Sequence, residues 1–265
     1  ISLAISEMED YYGVKLFDRI SRKLYLTENG RRALQYARHI IDLLDEMEQG
    51  VRDVDAMGRL KVGTSITIGT YLLPGYIKKL KQQYPALKVE ASIANSGTIE
   101  QQILDNDIDV GIIEGVAHSP FILSESFAGD RLVFICPAGH EFAGKTLEEL
   151  SEVRNQDFIL REKGSAGREI FDGILAAQEL NVRPIWQSAS NQVILQGVKA
   201  GLGISILPYF LVRQDIREGE LAEFRIKDLA LNRKYSVIYH KNKFLPRSAR
   251  TLMELCKEGN GADRL

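Results

Sequence analysis

The chain has 265 residues, 45% of them hydrophobic, and a formal net charge of −2, values typical of a globular protein of about two domains. No apolar run approaches the roughly 18 residues that a membrane-spanning helix needs, and no signal-peptide pattern opens the chain. Cys136 and Cys256 lie far apart and the four histidines are scattered, so neither type has metal-site spacing. We therefore expect a cytoplasmic protein with buried, reduced thiols, no membrane partner, no metal and no cofactor.

The start of the chain has the pattern of the second half of a winged helix-turn-helix. Apolar residues recur at helical spacing over residues 1–12, whereas Ser2 and Ser6 lie four apart on a different face. Gly13 ends this helix, and charged and apolar residues then alternate over 18–26 as in a short hairpin. The small polar face predicts a helix that lies in a DNA groove.

The segment from Lys15 to Arg38 is basic, with seven Lys/Arg against two acids, a net charge of +5. Localised positive charge of this kind is typical of proteins that bind a phosphate backbone. The alternative interpretation is a solvated basic hairpin without a partner. We expect the serines to face base edges or phosphates and the basic residues to contact the backbone; the predicted DNA-binding residues are Ser2, Ser6, Arg19, Arg22, Lys23 and Arg31.

Three motifs occur in this region: Ser2-x-x-Ile5-x-x-Met8-Glu9, Gly13-Val14-x-Leu16-Phe17-x-Arg19 and Leu26-Thr27-x-x-Gly30. They resemble the LysR-type transcriptional regulators, and the resemblance runs to the end of the chain. It implies double-stranded promoter DNA as a partner. Because the recognition helix of that family begins just before Ser2, we also expect the chain to be truncated at its N-terminus.

A long amphipathic helix is predicted over residues 32–54. Its apolar positions step by three or four residues, close to a heptad repeat: Leu34, Ala37, Ile41, Leu44, Met47, Val51 and Val54. Six acids against one arginine give residues 42–55 a net charge of −5, so this part is not expected on DNA. A second copy of the helix would cover the apolar seam, as the resemblance implies; the alternative is packing on the chain's own C-terminal domain.

From Leu60 onward, short apolar runs alternate with helical stretches, which predicts an α/β fold with mainly parallel sheets. The predicted strands are 60–62, 87–93, 108–113, 132–136, 158–160, 204–207 and 235–239. The predicted helices are 69–83, 98–105, 168–178 and 192–200. The resemblance implies two subdomains, like those of periplasmic solute-binding proteins, with crossovers near Pro137 and Asn232.

The expected domains are a partial winged helix-turn-helix at 1–30, a linker and dimerisation helix at 31–57, and an effector-binding domain at 58–265. Subdomain I is expected at about 59–133 and 232–258, and subdomain II at about 134–231. Ligands of such sheets bind at the carboxyl ends of strands, where helix N-termini present free N–H groups.

Polar segments between a predicted strand and a predicted helix recur three times, at 64–67, 95–98 and 161–168, and more weakly at 190–191. Hydroxyls, N–H groups at helix starts and a guanidinium suit a small oxyanion, although each segment alone is equally explained as a helix cap. Neither Thr67 nor Arg168 is expected in the core. The predicted effector-binding residues are Ser65, Thr67, Ser96, Thr98, Ser165, Arg168 and Asn191.

Further motifs narrow the resemblance: Thr67-Ile68-Gly69-x-Tyr71-Leu72-Leu73-Pro74, Gly111-Ile112-Ile113-Glu114-Gly115 and Leu160-Arg161-Glu162-x-Gly164-Ser165. They are similar to the LysR-type branch that governs sulfur assimilation and carbon-dioxide fixation genes, whose effectors include sulfite, other small oxyanions and phosphorylated metabolites. The Gly-Ser-Gly-Thr-Arg run of that branch reads Gly164-Ser165-Ala166-Gly167-Arg168 here, so one hydroxyl is lost.

We therefore expect a homodimeric or homotetrameric transcriptional regulator whose binding to promoter DNA is controlled by a small anionic effector, with sulfite favoured over a sugar phosphate. The alternative is a solute-binding or enzymatic α/β domain with an interaction arm that does not bind DNA. No GxSxG elbow, HExxH, Walker loop or dinucleotide fingerprint occurs, so no catalytic residue is predicted.

Overall fold

The computed structural model describes residues 2–20, 23–52 and 58–258. Helix α1 (Ser2–Tyr12) precedes a hairpin of β1 (Phe17–Ile20) and β2 (Lys23–Leu26), and helix α2 (Glu28–Arg52) follows directly. The helix and hairpin occur where the sequence predicts them, whereas α2 begins four residues before the predicted start. Within the described ranges, no helix is both long and apolar enough to cross a membrane.

Side-chain hydrogen bonds join α1, the hairpin and α2 into one unit. The Glu9 carboxylate accepts from the backbone N–H of Leu16 at 2.8 Å. The Thr27 hydroxyl caps α2 by accepting from the Gly30 N–H at 2.9 Å, and it donates to the Lys15 carbonyl at 2.7 Å. A Cβ at Gly30 would overlap the Leu16 carbonyl oxygen, so the close approach of α2 to the hairpin requires glycine.

The rest of the described chain alternates strands and helices. The strands are β3 (Arg59–Ser65), β4 (Lys88–Ala94), β5 (Val110–Glu114), β6 (Ile122–Pro137), β7 (Thr146–Leu147), β8 (Phe158–Arg161), β9 (Pro184–Ser188), β10 (Ser205–Pro208), β11 (Leu221–Ile226) and β12 (Asn232–His240). The helices are α3 (Ile66–Tyr71), α4 (Leu73–Gln83), α5 (Ser96–Leu104), α6 (Ala166–Ala177), α7 (Asn191–Lys199), α8 (Tyr209–Arg217) and α9 (Arg247–Glu258). Every predicted strand and helix is present, except that the single helix predicted at 69–83 is divided into α3 and α4 at Leu72. The predictions missed β7, β9, β11, α8 and α9.

The main sheet has the order β4-β3-β5-β12-β6-β11-β7, with β10 also paired to β6. Strand β3 is parallel to β4 and β5, whereas β12 is antiparallel to both β5 and β6. The prediction of mainly parallel sheets was therefore wrong, because β12 runs opposite to its neighbours β5 and β6, and β10 and β11 run opposite to β6. Strand β6 pairs with β12 up to Arg131 and with β10 from Leu132, so the crossover lies a few residues before Pro137.

Each half of this sheet has its own apolar core. In the first half, α3, α4 and α9 cover one sheet face around Val62, Ile112 and Val237, and α5 covers the other. The core of the second half packs around Phe134 and Phe171. We call these halves subdomain I (about 59–131 and 232–258) and subdomain II (about 132–231), because Leu132 and Val133 already pack in the cores of the second half.

Helix α2 presents two different faces. Arg32, Gln35 and Tyr36 line a small cavity against subdomain I, near Ile103 and Phe121. The predicted apolar seam lies elsewhere on the helix. Ala37 of this seam is exposed, and its larger described side chains remain 38% to 59% exposed: Leu34, Ile41, Leu44 and Met47. The side chain of Val51 and the whole of Val54 lie outside the described part of the chain. The chain's own domain therefore leaves the described part of this seam open.

Candidate functional site

Subdomains I and II meet along a boundary that we call the cleft, and two of the contacts between its walls are the following. The backbone N–H of Gly97 in α5 donates to the carbonyl of Gly164 at 3.0 Å. Tyr71 of α3 and Phe210 of α8 pack edge to face, with ring centroids 5.1 Å apart. The two walls are therefore in direct contact, an arrangement of the cleft that we call closed.

A cluster of buried hydroxyls lies at the end of β3, on the subdomain I side. Ser65 and Thr67 are 1% and 2% exposed, and their hydroxyl oxygens have no hydrogen-bond partner. The Thr64 hydroxyl, which the sequence analysis did not select, is buried and unpartnered in the same way. Each such group costs about 1–3 kcal/mol when it is left unsatisfied, so these side chains need a partner. Thr67 was expected outside the core, and that expectation was wrong.

Ser96 and Thr98 have less freedom to bind a ligand. The Ser96 hydroxyl is buried and donates to the backbone carbonyl of Glu114 at 3.0 Å, which ties the start of α5 to the end of β5. Thr98 is exposed, and its backbone N–H donates to the Asn95 side chain at 2.9 Å. Asn95 is thus the N-cap of α5, as the capping interpretation predicts.

On the opposite wall, the predicted residues form an internal hydrogen-bond network. The Ser165 hydroxyl caps α6 by accepting from the Arg168 N–H at 3.4 Å. The buried Arg168 guanidinium donates to Asp172 at 2.7 Å and to the Arg161 carbonyl at 3.1 Å. Arg161 in turn donates to the Asn191 side chain at 2.8 Å. Arg168 is therefore buried and bound within its own subdomain, so the expectation that it lies outside the core was wrong. The i,i+4 spacing between Arg168 and Asp172 could have indicated this ion pair from the sequence.

A buried ion cluster joins β5, β6 and β12 and was missed by the sequence analysis. Arg233 of β12 lies 3.0 Å from Glu114 and 2.5 Å from Asp130, and all three side chains are buried. Burial opposes the charge on Arg233, but the two carboxylates outweigh it and raise the pKa of the guanidinium. Glu114 Oε1 has no hydrogen-bond partner. These three residues are far apart in the chain, so no short sequence motif could indicate that they form one cluster.

A second polar link spans the cleft at His118, in the loop after β5. Glu100 of α5 accepts from the backbone N–H groups of His118 at 2.8 Å and Ser119 at 2.7 Å, and lies 3.2 Å from His118 Nδ1. His118 Nε2 lies 3.8 Å from Glu169 of α6. Burial raises the pKa of Glu169, with His118 opposing the shift and Glu100 and Asp172 adding to it. His118 thus connects the two subdomains.

The predicted DNA-binding residues are described only in part. Ser6 is exposed on α1. Arg31 is exposed on α2, where it lies 2.8 Å from Glu28 in a surface ion pair of the kind that contributes little to stability. The side chains of Ser2, Arg19 and Lys23, and the whole of Arg22, lie outside the described residues.

Comparison with known proteins agrees with this architecture. The LysR substrate binding domain family matches residues 55–261. The uncharacterized HTH-type transcriptional regulator YeiE of Escherichia coli K12 is 34% identical over 262 residues, which cover 98% of this chain and 88% of that protein. The HTH-type transcriptional regulator CysL of Bacillus subtilis is 28% identical over 241 residues, which cover 90% and 81%.

A solved structure shows the same fold. The regulatory domain of Synechocystis PCC6803 CcmR, in complex with 2-PG, superposes with a TM-score of 0.69 and 24% identity, covering 77% of this chain and 98% of that domain. Its likeness supports a periplasmic-binding-protein-like arrangement of subdomains I and II. From the family match over most of the chain and the full-length similarity to named regulators, this chain belongs to the LysR-type transcriptional regulators and carries their effector-binding domain.

Proposed function

We propose that the regulator binds promoter DNA as a homo-oligomer, and that a small oxyanion bound in the cleft controls this binding. A sulfur oxyanion such as sulfite is favoured. The observation that carries the proposal is the cluster of buried, unpartnered hydroxyls at Thr64, Ser65 and Thr67. Hydroxyl groups donate well to anionic oxygens, and a bound oxyanion would relieve the cost of leaving them unpaired.

The starts of two helices supply further donors. Helices α5 and α6 both begin where Gly97 meets Gly164, so the positive ends of two helix dipoles lie at the cleft. Ser165, Arg168 and Asn191 act indirectly in this proposal, since their mutual hydrogen bonds fix the first turns of α6 and α7. An anion is then held mainly by hydroxyls and backbone N–H groups.

The size of the effector follows from the closed cleft. Contacts at Gly97–Gly164 and Tyr71–Phe210 already bring the walls together, so a small oxyanion suits this arrangement better than a sugar phosphate. The CcmR domain with 2-PG is an example of a small ligand bound to this fold.

The DNA-binding part of the proposal depends on the N-terminal unit. Its basic segment from Lys15 to Arg38 suits a phosphate backbone, and the relatives are named as helix-turn-helix regulators. The exposed seam of α2 supports pairing with the same helix of a second copy, because water-exposed apolar stripes of this length favour association.

Calorimetric titration of sulfite into Thr67→Val tests the effector site. Valine keeps the shape of threonine and removes the hydroxyl, so we expect affinity to fall about 10- to 150-fold, which corresponds to about 1.5–3 kcal/mol. The free energy of unfolding of the unliganded variant should not fall, since an unpaired buried hydroxyl is replaced by a methyl group.

Thr70→Val is the matched control, because Thr70 lies on the same helix but is exposed and donates to the Ile66 carbonyl. It should bind sulfite like the parent. Equal affinities in all three proteins, or no binding to the parent at millimolar sulfite, would exclude an oxyanion at this site.

A further inference from the structure

Glu114 lies on the floor of the cleft. It ends β5 and is 4% exposed. Its backbone carbonyl accepts from Ser96 at the start of α5, and the next residue, Gly115, packs against α6, where a Cβ on glycine would lie 3.0 Å from that of Ala166. Glu114 therefore lies where the end of a central strand meets the starts of helices from both subdomains.

Strand register places the Glu114 side chain on the same sheet face as Thr64. Thr64 pairs with Ile112 across β3 and β5, and Tyr235 pairs with Glu114 across β12 and β5. Side chains two apart on a strand share a face, so Ile112 and Glu114 point the same way, as do their cross-strand neighbours. This is the face that α3 and α4 cover, at its cleft end.

The charges in this cluster do not balance. Arg233 pairs with Glu114 through Oε2, and it binds both carboxylate oxygens of Asp130, at 2.5 and 2.7 Å. Two carboxylates thus share one guanidinium, which leaves the cluster with one excess negative charge. The remaining oxygen, Glu114 Oε1, is buried and has no partner. An ionised carboxylate oxygen only accepts hydrogen bonds, so it needs a donor.

We propose that Glu114 is a specificity-determining residue: its Oε1 accepts a hydrogen bond from the effector and thereby selects a monoprotonated oxyanion over a fully deprotonated one. This inference rests on the proposed function, in which an oxyanion meets the cluster of buried hydroxyls at the end of β3, to which Thr64 belongs. A protonated oxyanion donates to Glu114 Oε1 and accepts from those hydroxyls with its other oxygens. A dianion without a proton places negative oxygens against Glu114 in a poorly solvated site, where repulsion is strong.

Phosphate and sulfate form a matched pair of probes, since they have the same tetrahedral shape but only phosphate keeps a proton near neutral pH. Sulfite, handled without oxygen, also keeps a proton in part of its population. Of phosphate and sulfite, the anion with the higher affinity should bind the parent protein at least about 100-fold more tightly than sulfate does. The reason is that a site built to accept a hydrogen bond from the ligand strongly rejects an analogue without the proton.

Calorimetric titration of all three anions into Glu114→Gln and Asp130→Asn tests the role of Glu114. The glutamine amide can donate to sulfate, so the selectivity of Glu114→Gln should fall to within about 10-fold. Asp130→Asn removes the same charge from the same guanidinium, but both Asp130 oxygens already bind Arg233, so the parental selectivity should remain. Thermal unfolding verifies that each variant is folded.

The measurement on the parent protein stands even if a variant fails to fold. Sulfate binding as tight as that of phosphate and sulfite, or unchanged selectivity in Glu114→Gln, overturns the inference while leaving an oxyanion site in place. Failure of all three anions to bind the parent at millimolar concentration overturns the proposed function itself, and this inference with it.

Discussion

Burial determines the chemistry of the two cysteines. Cys136 on β6 and Cys256 on α9 are fully buried, and burial raises the pKa of the Cys136 thiol to about 11 and that of the Cys256 thiol to about 12. Because the thiolate is the reactive form, both thiols are inert at neutral pH. We expect a thiol reagent such as DTNB to label neither cysteine in the native protein at pH 7.5 and both in guanidinium. Rapid labelling of the native protein would contradict this prediction.

The sequence indicated which residue types would lie at the site, but it did not show which groups they would contact in the folded protein. The hydroxyl-rich segment at 64–67 was identified because Ser and Thr follow an apolar strand, and its burial without partners strengthens that choice. Arg168 was selected for its charge, yet Asp172 and the Arg161 carbonyl already hold it. Glu114 was noted only as part of a family motif and was not selected as a site residue, since its significance arises from Arg233, which only the folded sheet brings close.

At the scale of elements, the junction of the hairpin and α2 depends on one glycine. In Gly30→Ala the added methyl group would overlap the Leu16 carbonyl oxygen, and overpacking of this kind costs about 1–3 kcal/mol or more. We expect faster hydrogen exchange of the backbone amides over residues 15–31, measured by mass spectrometry. Gly173→Ala in α6 is the control, since a Cβ there meets no atom within 4 Å.

In the control, protection should be unchanged or increased, because alanine favours a helix over glycine by about 1 kcal/mol. Parental exchange rates over residues 15–31 in Gly30→Ala would show that the hairpin and α2 are not tightly joined.

The seam of α2 gives the second prediction at this scale. Leu44→Glu would bury a charge between paired helices, at a cost of several kcal/mol, and should shift a dimer toward monomer in sedimentation velocity. Leu44→Met keeps the apolar surface and should remain dimeric. A parent protein that sediments as a monomer at micromolar concentration would refute helix pairing through this seam.

Most elements with a clear local period were predicted, although the amphipathic helices α8 and α9 were missed, and the strands defined by pairing were not predicted. The runs at β3, β5 and β8 and the helices α5 to α7 were identified from apolar spacing. Strand β6 was seen only at 132–136, because its first half carries polar and charged residues that are stabilised by pairing with β12. The same reason explains the error about sheet direction, since sequence periodicity does not show which strands are neighbours.

At the scale of the whole molecule, the chain passes between the subdomains within β6 and again just before β12, and contacts around the cleft hold the subdomains together. Strand β6 belongs to both halves, and β12 pairs with its first part. Helix α2 lines a cavity with residues of subdomain I. An effector that changes the angle of subdomain II would therefore change the surface that a second copy contacts, while α2 keeps this contact with subdomain I. In this account, effector control of DNA binding is a shift between such arrangements.

The most direct test of this account is a crystal structure of the chain with selenite, an analogue of sulfite whose selenium is located by anomalous scattering. We predict one selenium peak in the cleft, with selenite oxygens about 2.6–3.2 Å from the hydroxyls of Ser65 and Thr67. A selenium peak only at other surfaces, with the Thr64, Ser65 and Thr67 hydroxyls bound to water, would contradict the central claim.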